Sequence, residues 1–298
     1  MIKFSIQIST KNRIADLTLT LDKISVLLVQ SDLECVVFDD GSSDGTYEFV
    51  TNNYPEIILH RNIDSKGYLF CRNKMLNETR AAYTISLDDD AHFLSDDPLQ
   101  KIESHFNSHP KCGLIAFRIF WGLEPPDAQA SHEITERVKG FVGCGHAWRM
   151  DSWRQIPNYP EWFEFYGEET FASLCLFKDD IEVHYLPSVL IHHRVDLKKR
   201  RMAKGFSARY RNSLKADYFL YFLFYPMHVV PGKIAYSVWK QLTTKILRGS
   251  PALFFPLSGA VLKIFGNTPN LIKHRMGFTP QQFKGFQELK DTKIYWKP

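Results

Sequence analysis

The segment ECVVFDDGSSDGT, residues 34–46, changes character at its midpoint. Its first part, through Cys35, Val36, Val37 and Phe38, is a continuous apolar run, the mark of a strand buried on both faces. The second part is a polar loop leading to a helix that starts near Thr46. Asp, Ser and Gly suit that turn, with Ser43 or Asp44 as the helix cap. A calcium loop is excluded: Asp40, Ser42, Asp44 and Gly45 fit its early positions, but Thr51 stands where a bidentate Glu is needed. Capping accounts for one or two of these side chains. It leaves adjacent Asp39 and Asp40 at a strand end, where a carboxylate can hydrogen-bond a nucleotide base. A structural and a functional reading of that pair both stand.

The alternation continues on either side. Phe4, Ile6 and Ile8 mark a strand over residues 3–9, and Ile14, Leu17, Leu21, Ile24 and Leu28 follow at helical spacing. Further strand-like runs lie at 56–60, 83–87 and 113–120, with helical stretches near 44–52, 66–80 and 97–109. Such alternation predicts an α/β domain, a mostly parallel sheet flanked by helices. Ligands then bind at the carboxyl ends of the strands. Strand signals stop after about residue 195, and a boundary near 195–205 divides the chain into a first domain, 1–200, and a mostly helical region, 201–298.

At the end of the 83–87 run stand Asp88, Asp89 and Asp90, in ISLDDDAHF (85–93). They are either a solvated acidic loop or ligands for a hard cation such as Mg²⁺ or Mn²⁺, which takes carboxylates together with substrate phosphates. In an extended segment Asp88 and Asp90 share a side, so that one faces a ribose and the other a metal. In EFYGEETF (164–171), Glu168 and Glu169 open a helix, as an ordinary first-turn acidic pair or as a general base. His192 and His193 follow an apolar run and are structural or complete a coordination shell. Lys66, Gly67, Arg72 and Asn73, in NIDSKGYLFCRN (62–73), begin an exposed helix or meet a diphosphate.

Composition narrows the classes. The 298 residues are 44% hydrophobic and 23% charged, an ordinary globular balance, with a net charge of +4. Between Arg194 and Lys215 the chain carries nine Lys/Arg and one acid, so this segment holds +8 and the remainder is near −4. The basic stretch KKRRMAKGFSARYRN (198–212) is a solvated face or meets an anionic membrane surface. No zinc pattern, helix-turn-helix signal or RNP motif supports nucleic acid. Tyr218, Phe219, Tyr221, Phe222, Phe224, Tyr225 and Trp239 either sit at such an interface or pack on the first domain. The five cysteines are scattered, as reduced thiols in a cytoplasmic protein would be, and the N-terminal residues lack the apolar run of a secretory signal. No apolar stretch is long enough to span a bilayer, although 218–230 and 250–262 come near. A cytoplasmic protein, peripheral on the inner face of the membrane, is expected.

Taken in order, ISTKNR, DDGSSDGT, RNIDSKGYLFCRN, LDDDA, FVGCGHAWRM, YGEE and the late HHR resemble the inverting, nucleotide-sugar-dependent glycosyltransferases of family 2, which have the GT-A fold. The resemblance covers residues 3 to about 195. It implies that Thr10, Asn12 and Asp40, or Asp39, contact the nucleotide base and ribose. It implies a donor site that also takes in Arg13, Lys66, Gly67, Arg72, Asp88 and Asp89. Asp88 and Asp90 match the family's DxD motif, Asp90 being the expected metal ligand, with His193 or His192 as the later one. Residues 143–149 would line the sugar and acceptor pocket. Glu169 stands where the family usually has the Asp of its ED pair, the catalytic base. Here the pair is Glu-Glu, so Glu168 is the alternative, and Phe171 stands where many members have an acid. The QxxRW motif of processive synthases is absent, which favours one sugar per encounter. The resemblance therefore implies a Mn²⁺- or Mg²⁺-dependent transfer from a nucleotide-sugar, UDP-linked in the first place, to a saccharide or lipid-linked acceptor. The rivals are a non-catalytic nucleotide-sugar-binding protein and a metal-dependent nucleotidyltransferase. The latter would want a Gly-rich phosphate loop after the first strand, and ISTKNRIADL has none.

Overall fold

A computed structural model describes residues 2–196 and 205–298. The basic run over 198–204 therefore lies outside the described residues. The first half follows the expected alternation: β1 (Phe4–Thr10), α1 (Ile14–Leu28), β2 (Leu33–Asp39), α2 (Thr46–Asn53), β3 (Ile58–Arg61), α3 (Tyr68–Glu78) and β4 (Tyr83–Asp88). Then come β5 (Ala91–Phe93), α4 (Pro98–Ser108), β6 (Cys112–Trp121), β7 (Glu136–Arg137), β8 (Gly145–Arg149) and the short α5 (Met150–Trp153). The sheet closes after α6 (Glu168–Lys178) with β9 (Glu182–His193). Beyond it the described chain is helical: α7 (Phe206–Phe224), α8 (Val230–Gln241), α9 (Phe254–Gly266), α10 (Thr268–Lys273) and α11 (Pro280–Glu288).

The strands form one sheet in the order β3-β2-β1-β4-β8-β6-β9-β5, with β7 beside β9. Among the described residues β1–β4, β6 and β9 run one way and β5, β7 and β8 oppose them, so the sheet is mostly parallel. Register is what gathers the motifs. Thr10 of β1 stands opposite Asp39 of β2, and Ser9 opposite Asp88 of β4. Antiparallel β8 enters between β4 and β6, and the Asp88 N–H donates to the Cys144 carbonyl at 3.2 Å. Strand β5 pairs with the end of β9, so Ala91 faces His193 and the Arg194 N–H donates to the Asp90 carbonyl at 2.9 Å.

Each face of the sheet is covered. On one, Ile6, Ile8, Val37, Ile85 and Leu87 pack with Leu17, Leu21 and Ile24 of α1 and Leu99, Ile102 and Phe106 of α4. On the other, Leu114, Trp148 and Tyr185 join α6 and the C-terminal helices in one continuous core. The aromatics at 218–225 belong to this core and not to an exposed interface. Tyr218, Phe219 and Phe224 have no exposed surface. Phe219 packs on Trp162 and Phe163, and Phe224 on Phe171. Of the aromatics expected at a membrane, Trp239 is the one left largely open, at 60% exposure. The helix α6 begins at Gly167, with φ +90°, where a Cβ would come within 2.8 Å of the Ala216 Cβ of α7. Only glycine fits both the dihedral and the close approach.

Candidate active site

The carboxyl ends of β1, β4 and β9, the turn before β8 and the start of α6 surround one cleft of about 970 Å³. Asp88, Asp89, Asp90 and His193 line it, and so do Gly143, Glu168 and Glu169. The two acidic clusters, some eighty residues apart in sequence, face the same space.

The three aspartates have different environments. His193 Nε2 lies 3.0 Å from Asp90 Oδ1 and 3.9 Å from Asp88 Oδ2. One ligand atom from each of Asp88, Asp90 and His193 lies within 4.8 Å of the others. Burial opposes ionisation of Asp90, but the hydrogen bond and charge of His193 and the Arg13 guanidinium outweigh it and hold its pKa below the usual carboxylate range. Asp89 instead takes a hydrogen bond from Thr10 Oγ1 at 2.8 Å and an ion pair from Arg13 Nε at 3.0 Å. Burial, with Asp90 and Asp88 nearby, pushes its pKa up to about 7 against the pull of Arg13 and Thr10. Asp89 thus supports Arg13, whose Nη2 reaches Asp90 Oδ2 at 2.6 Å.

Two carboxylates and one imidazole make an oxygen-rich donor set that suits Mn²⁺ or Mg²⁺. The residues present fit such an ion: their donor atoms converge, and Asp90 stays ionised despite its burial.

The opposite wall is the α6 N-terminus. Glu169 is half-buried, and its Oε1 accepts the Gly143 N–H at 3.2 Å. Glu168 is 5% exposed, with Oε2 lacking a hydrogen-bond partner among the described residues. Burial raises the pKa of both, and the adjacent Glu169 charge raises Glu168 further. Arg72 ties the walls together. Its Nη2 pairs with Asp88 Oδ1 at 2.8 Å while Nη1 donates to the Gly143 carbonyl at 3.0 Å. A chain of contacts thus runs from Asp88 through Arg72 and Gly143 to Glu169.

Other expected residues take different places. Thr10, Arg13, Asp40 and Gly67 line the cleft, whereas Asn12, Asp39, Lys66, Arg72 and His192 do not. Both oxygens of Asp40 are occupied, by Asn62, Ser65 and the N–H groups of Lys66 and Gly67 at 2.6–2.9 Å, so Asp40 knots the loop before α3. Asp39 is fully buried; Oδ1 accepts the Ser42 N–H at 2.9 Å and Oδ2 lies 3.5 Å from Arg61 Nε. Asn12, with φ 53°, accepts the Ser43 N–H at 2.7 Å. Asp44 serves two helices, accepting the N–H of Thr46 and that of Ile14, each at 3.1 Å. The Lys66 ammonium sits over the Phe70 ring, and His192 Nε2 pairs with the Gly122 carbonyl at 2.8 Å. Of residues 143–149, Gly143 and Cys144 reach the cleft. His146 and Trp148 point into the core, and Arg149 binds the carbonyls of Phe106, His109 and Cys112. The sequence reading missed Trp121, whose ring packs 4.3 Å from that of His193, and Tyr68, which stacks on Arg72. The position of Trp121 at the end of a strand is the one signal that pointed to it.

The family model described as Glycosyl transferase family 2 matches residues 5–177. Among solved structures, GalNAc-T7 with UDP, GalNAc and Mn²⁺ superposes with a TM-score of 0.58 at 12% identity, over 75% of this chain and 48% of that one. The mannosyltransferase PcManGT from Pyrobaculum calidifontis, with GDP-Man and Mn²⁺, has a TM-score of 0.55 at 15% identity, over 96% of this chain and 79% of that one. TarS of S. aureus gives 0.52 at 16% identity, over 70% and 38%. The chain thus spans about half the length of GalNAc-T7 and 38% of that of TarS. At such identities these likenesses show the fold, which is GT-A. No curated protein is significantly similar in sequence.

Proposed function

Since the chain belongs to glycosyl transferase family 2, we propose that it moves a sugar from a nucleotide-sugar, UDP-linked, to a saccharide or lipid-linked acceptor, one sugar per encounter and with inversion. One observation carries this reading: the Asp88–Asp90–His193 group and the Glu168–Glu169 pair line one cleft at the carboxyl ends of the strands. The Mn²⁺ in the GalNAc-T7 and PcManGT structures, beside UDP and GDP-Man, supports a metal and a diphosphonucleotide here.

Asp88, Asp90 and His193 would hold Mn²⁺ or Mg²⁺, which when bound supplies positive charge to a diphosphate leaving group. Arg13 adds a fixed charge beside it. Glu169 takes the proton of the acceptor hydroxyl as that oxygen attacks the anomeric carbon from the face opposite the leaving group. The Gly143 N–H anchors one Glu169 oxygen and leaves the other for the proton. Displacement in a single step inverts the centre. The test is thermal stabilisation by nucleotides with and without Mn²⁺, followed by assay of donor turnover. Metal-dependent stabilisation by UDP with turnover is expected. Stabilisation without turnover would favour a binding protein, and no nucleotide effect would overturn the donor assignment.

We further propose that the C-terminal helices rest on an anionic lipid surface, which would place a lipid-linked acceptor near the cleft. No helix among the described residues is long and apolar enough to cross a membrane. Between Asp217 and Glu288 there is no acid, and there are eight Lys/Arg. The same region exposes Tyr236 and Trp239 of α8 and, at 77%, 66% and 71%, Phe255, Leu262 and Phe265 of α9. Positions 255, 262 and 265 fall on one helical face. Apolar side chains among lysines without carboxylates match an interface of acidic headgroups. Flotation with phosphatidylglycerol-containing vesicles at low salt should carry the protein upward, and Phe255→Ser with Leu262→Ser should abolish it. Failure of the unmodified protein to float would end this placement and leave the sugar-transfer reading untouched.

A further inference from the structure

At the end of β9 remote from the cleft, three histidines meet. His105 lies in the last turn of α4, His109 follows that turn, and His184 is the third residue of β9. One imidazole nitrogen from each lies within 4.8 Å of the other two. His184 pairs with Ile115 and His193 with Trp121, six residues apart on β6 because β9 bulges between Leu186 and Leu190, so the two histidines are about 20 Å apart at the usual rise. The group is therefore separate from Asp88, Asp90 and His193.

Two of the rings are oriented through the nitrogen that faces away from the others. His184 Nε2 is 2.8 Å from Glu182 Oε2, and the other Glu182 oxygen is held by Arg137 Nη1 at 3.1 Å. A carboxylate only accepts, so the His184 proton sits on Nε2 and Nδ1 carries a lone pair. That lone pair lies 3.0 Å from His105 Nε2. His109 Nδ1 is 3.0 Å from the His105 carbonyl oxygen, to which it donates, so its Nε2 is the nitrogen left for a ligand role. A carboxylate or carbonyl on the far nitrogen is how metal-binding histidines are held in one tautomer. The negative end of the α4 dipole favours a cation here. Arg149 competes for that end, its guanidinium donating to the carbonyls of Phe106, His109 and Cys112 and not to an imidazole nitrogen.

We propose that His105, His109 and His184 form a second metal site, for a borderline divalent transition metal, Zn²⁺ first, with water in the fourth position. Three imidazoles select zinc and its neighbours over the hard ions of the cleft. In a tetrahedral zinc site, with nitrogens about 2.0–2.1 Å from the metal, those nitrogens are about 3.3 Å apart. The 3.0 Å separation of His105 Nε2 and His184 Nδ1 would open by only a few tenths of an ångström. Without metal this pair makes one hydrogen bond, from His105 Nε2–H to His184 Nδ1. On binding, the His105 proton moves to its Nδ1 through solvent and the metal replaces the bond. The five cysteines are buried, and none belongs to this group, so thiolates do not compete. Such a site staples the end of α4 to the start of β9.

The test uses the full chain, stripped of metal and carrying Asp90→Asn to silence the cleft. Co²⁺ is titrated by its visible absorption and Zn²⁺ by calorimetry and melting temperature. The expected result is one equivalent of Co²⁺ with a tetrahedral spectrum, and a Zn²⁺-induced rise in Tm of about 5 °C. Excess Mg²⁺ should not compete. His109→Ala, at a solvent-facing position, should leave the metal-free Tm unchanged yet weaken binding by about tenfold or more. His184→Ala, which removes a buried ring bonded to Glu182 and His105 and so lowers the metal-free Tm, should weaken binding at least as much where it folds. No cobalt spectrum, or equal zinc affinity in His109→Ala, would overturn the site.

Discussion

Glu169 and Gly143 touch through a single hydrogen bond of 3.2 Å, and much of the proposed chemistry rests on it. Glu169→Gln should lower kcat about 10²–10⁴-fold while nucleotide affinity holds. Turnover that survives the change would transfer the role to Glu168. Burial raises the pKa of Glu169, and a base must be deprotonated to act. Activity should therefore fall as pH drops through a value above that of an ordinary glutamate, and a pH profile of kcat/KM would show this acidic limb. The limb belongs to the Glu168–Glu169 pair together. Gly143→Ala tests the same contact from the backbone side. A Cβ there would stand 2.8 Å from Glu169 Oε1, so the carboxylate must move, and kcat should fall with little change in donor affinity. Across the cleft, Asp90→Asn should remove the metal dependence of donor binding, measured by calorimetry with and without Mn²⁺. Equal dependence in the variant would exclude Asp90 as a ligand. The identities of these residues were legible because each sits at the end of a local pattern. Their neighbours Arg72 and Tyr68 were harder to read, since nothing in NIDSKGYLFCRN says that the guanidinium turns inward to Asp88 and Gly143.

Among the elements, the early strands and helices follow the sequence closely, because apolar runs and helical spacing are local signals. Strand β8 escaped notice. GHAWR is short and its pairing with β4 and β6 is antiparallel, so only distant partners make it a strand. Helix α6 shows the converse, a short motif with a firm structural cause. Gly167 turns the chain at φ +90° directly against Ala216 of α7. Gly167→Ala should cost about 1–2 kcal/mol for the left-handed backbone alone, and more for the steric contact. Urea unfolding would measure it. Loss of activity larger than loss of stability is also expected, since Glu168 and Glu169 are the next two residues.

For the whole molecule, the helices after residue 205 complete the core beneath the cleft. Phe219 is fully buried between Trp162 and Phe163, next to the loop that leads to α6. Phe219→Ala should destabilise the whole protein by about 3–5 kcal/mol in a single unfolding transition. A separate, early transition confined to the C-terminal helices would show instead that they fold as an independent unit. Lys215, 1% exposed and paired with Glu164 Oε2 at 2.9 Å, belongs to the same junction. Seen in sequence, these residues looked like a basic and aromatic tail. Burial assigns many of them to packing and leaves the exposed apolar face to α8 and α9.

By itself the sequence determined the alternating elements, the carboxylates at strand ends and the acidic start of α6, because periodicity, apolar runs and capping depend on residues close along the chain. Only the tertiary structure decided that Asp88, Asp90 and His193 face Glu168 and Glu169 across one cleft, and that Phe219 lies inside. Those outcomes depend on strand register, on the insertion of β8 and on which surfaces meet. Hydrogen bonds and burial between residues far apart in the chain settle them, and a local pattern carries no record of such partners.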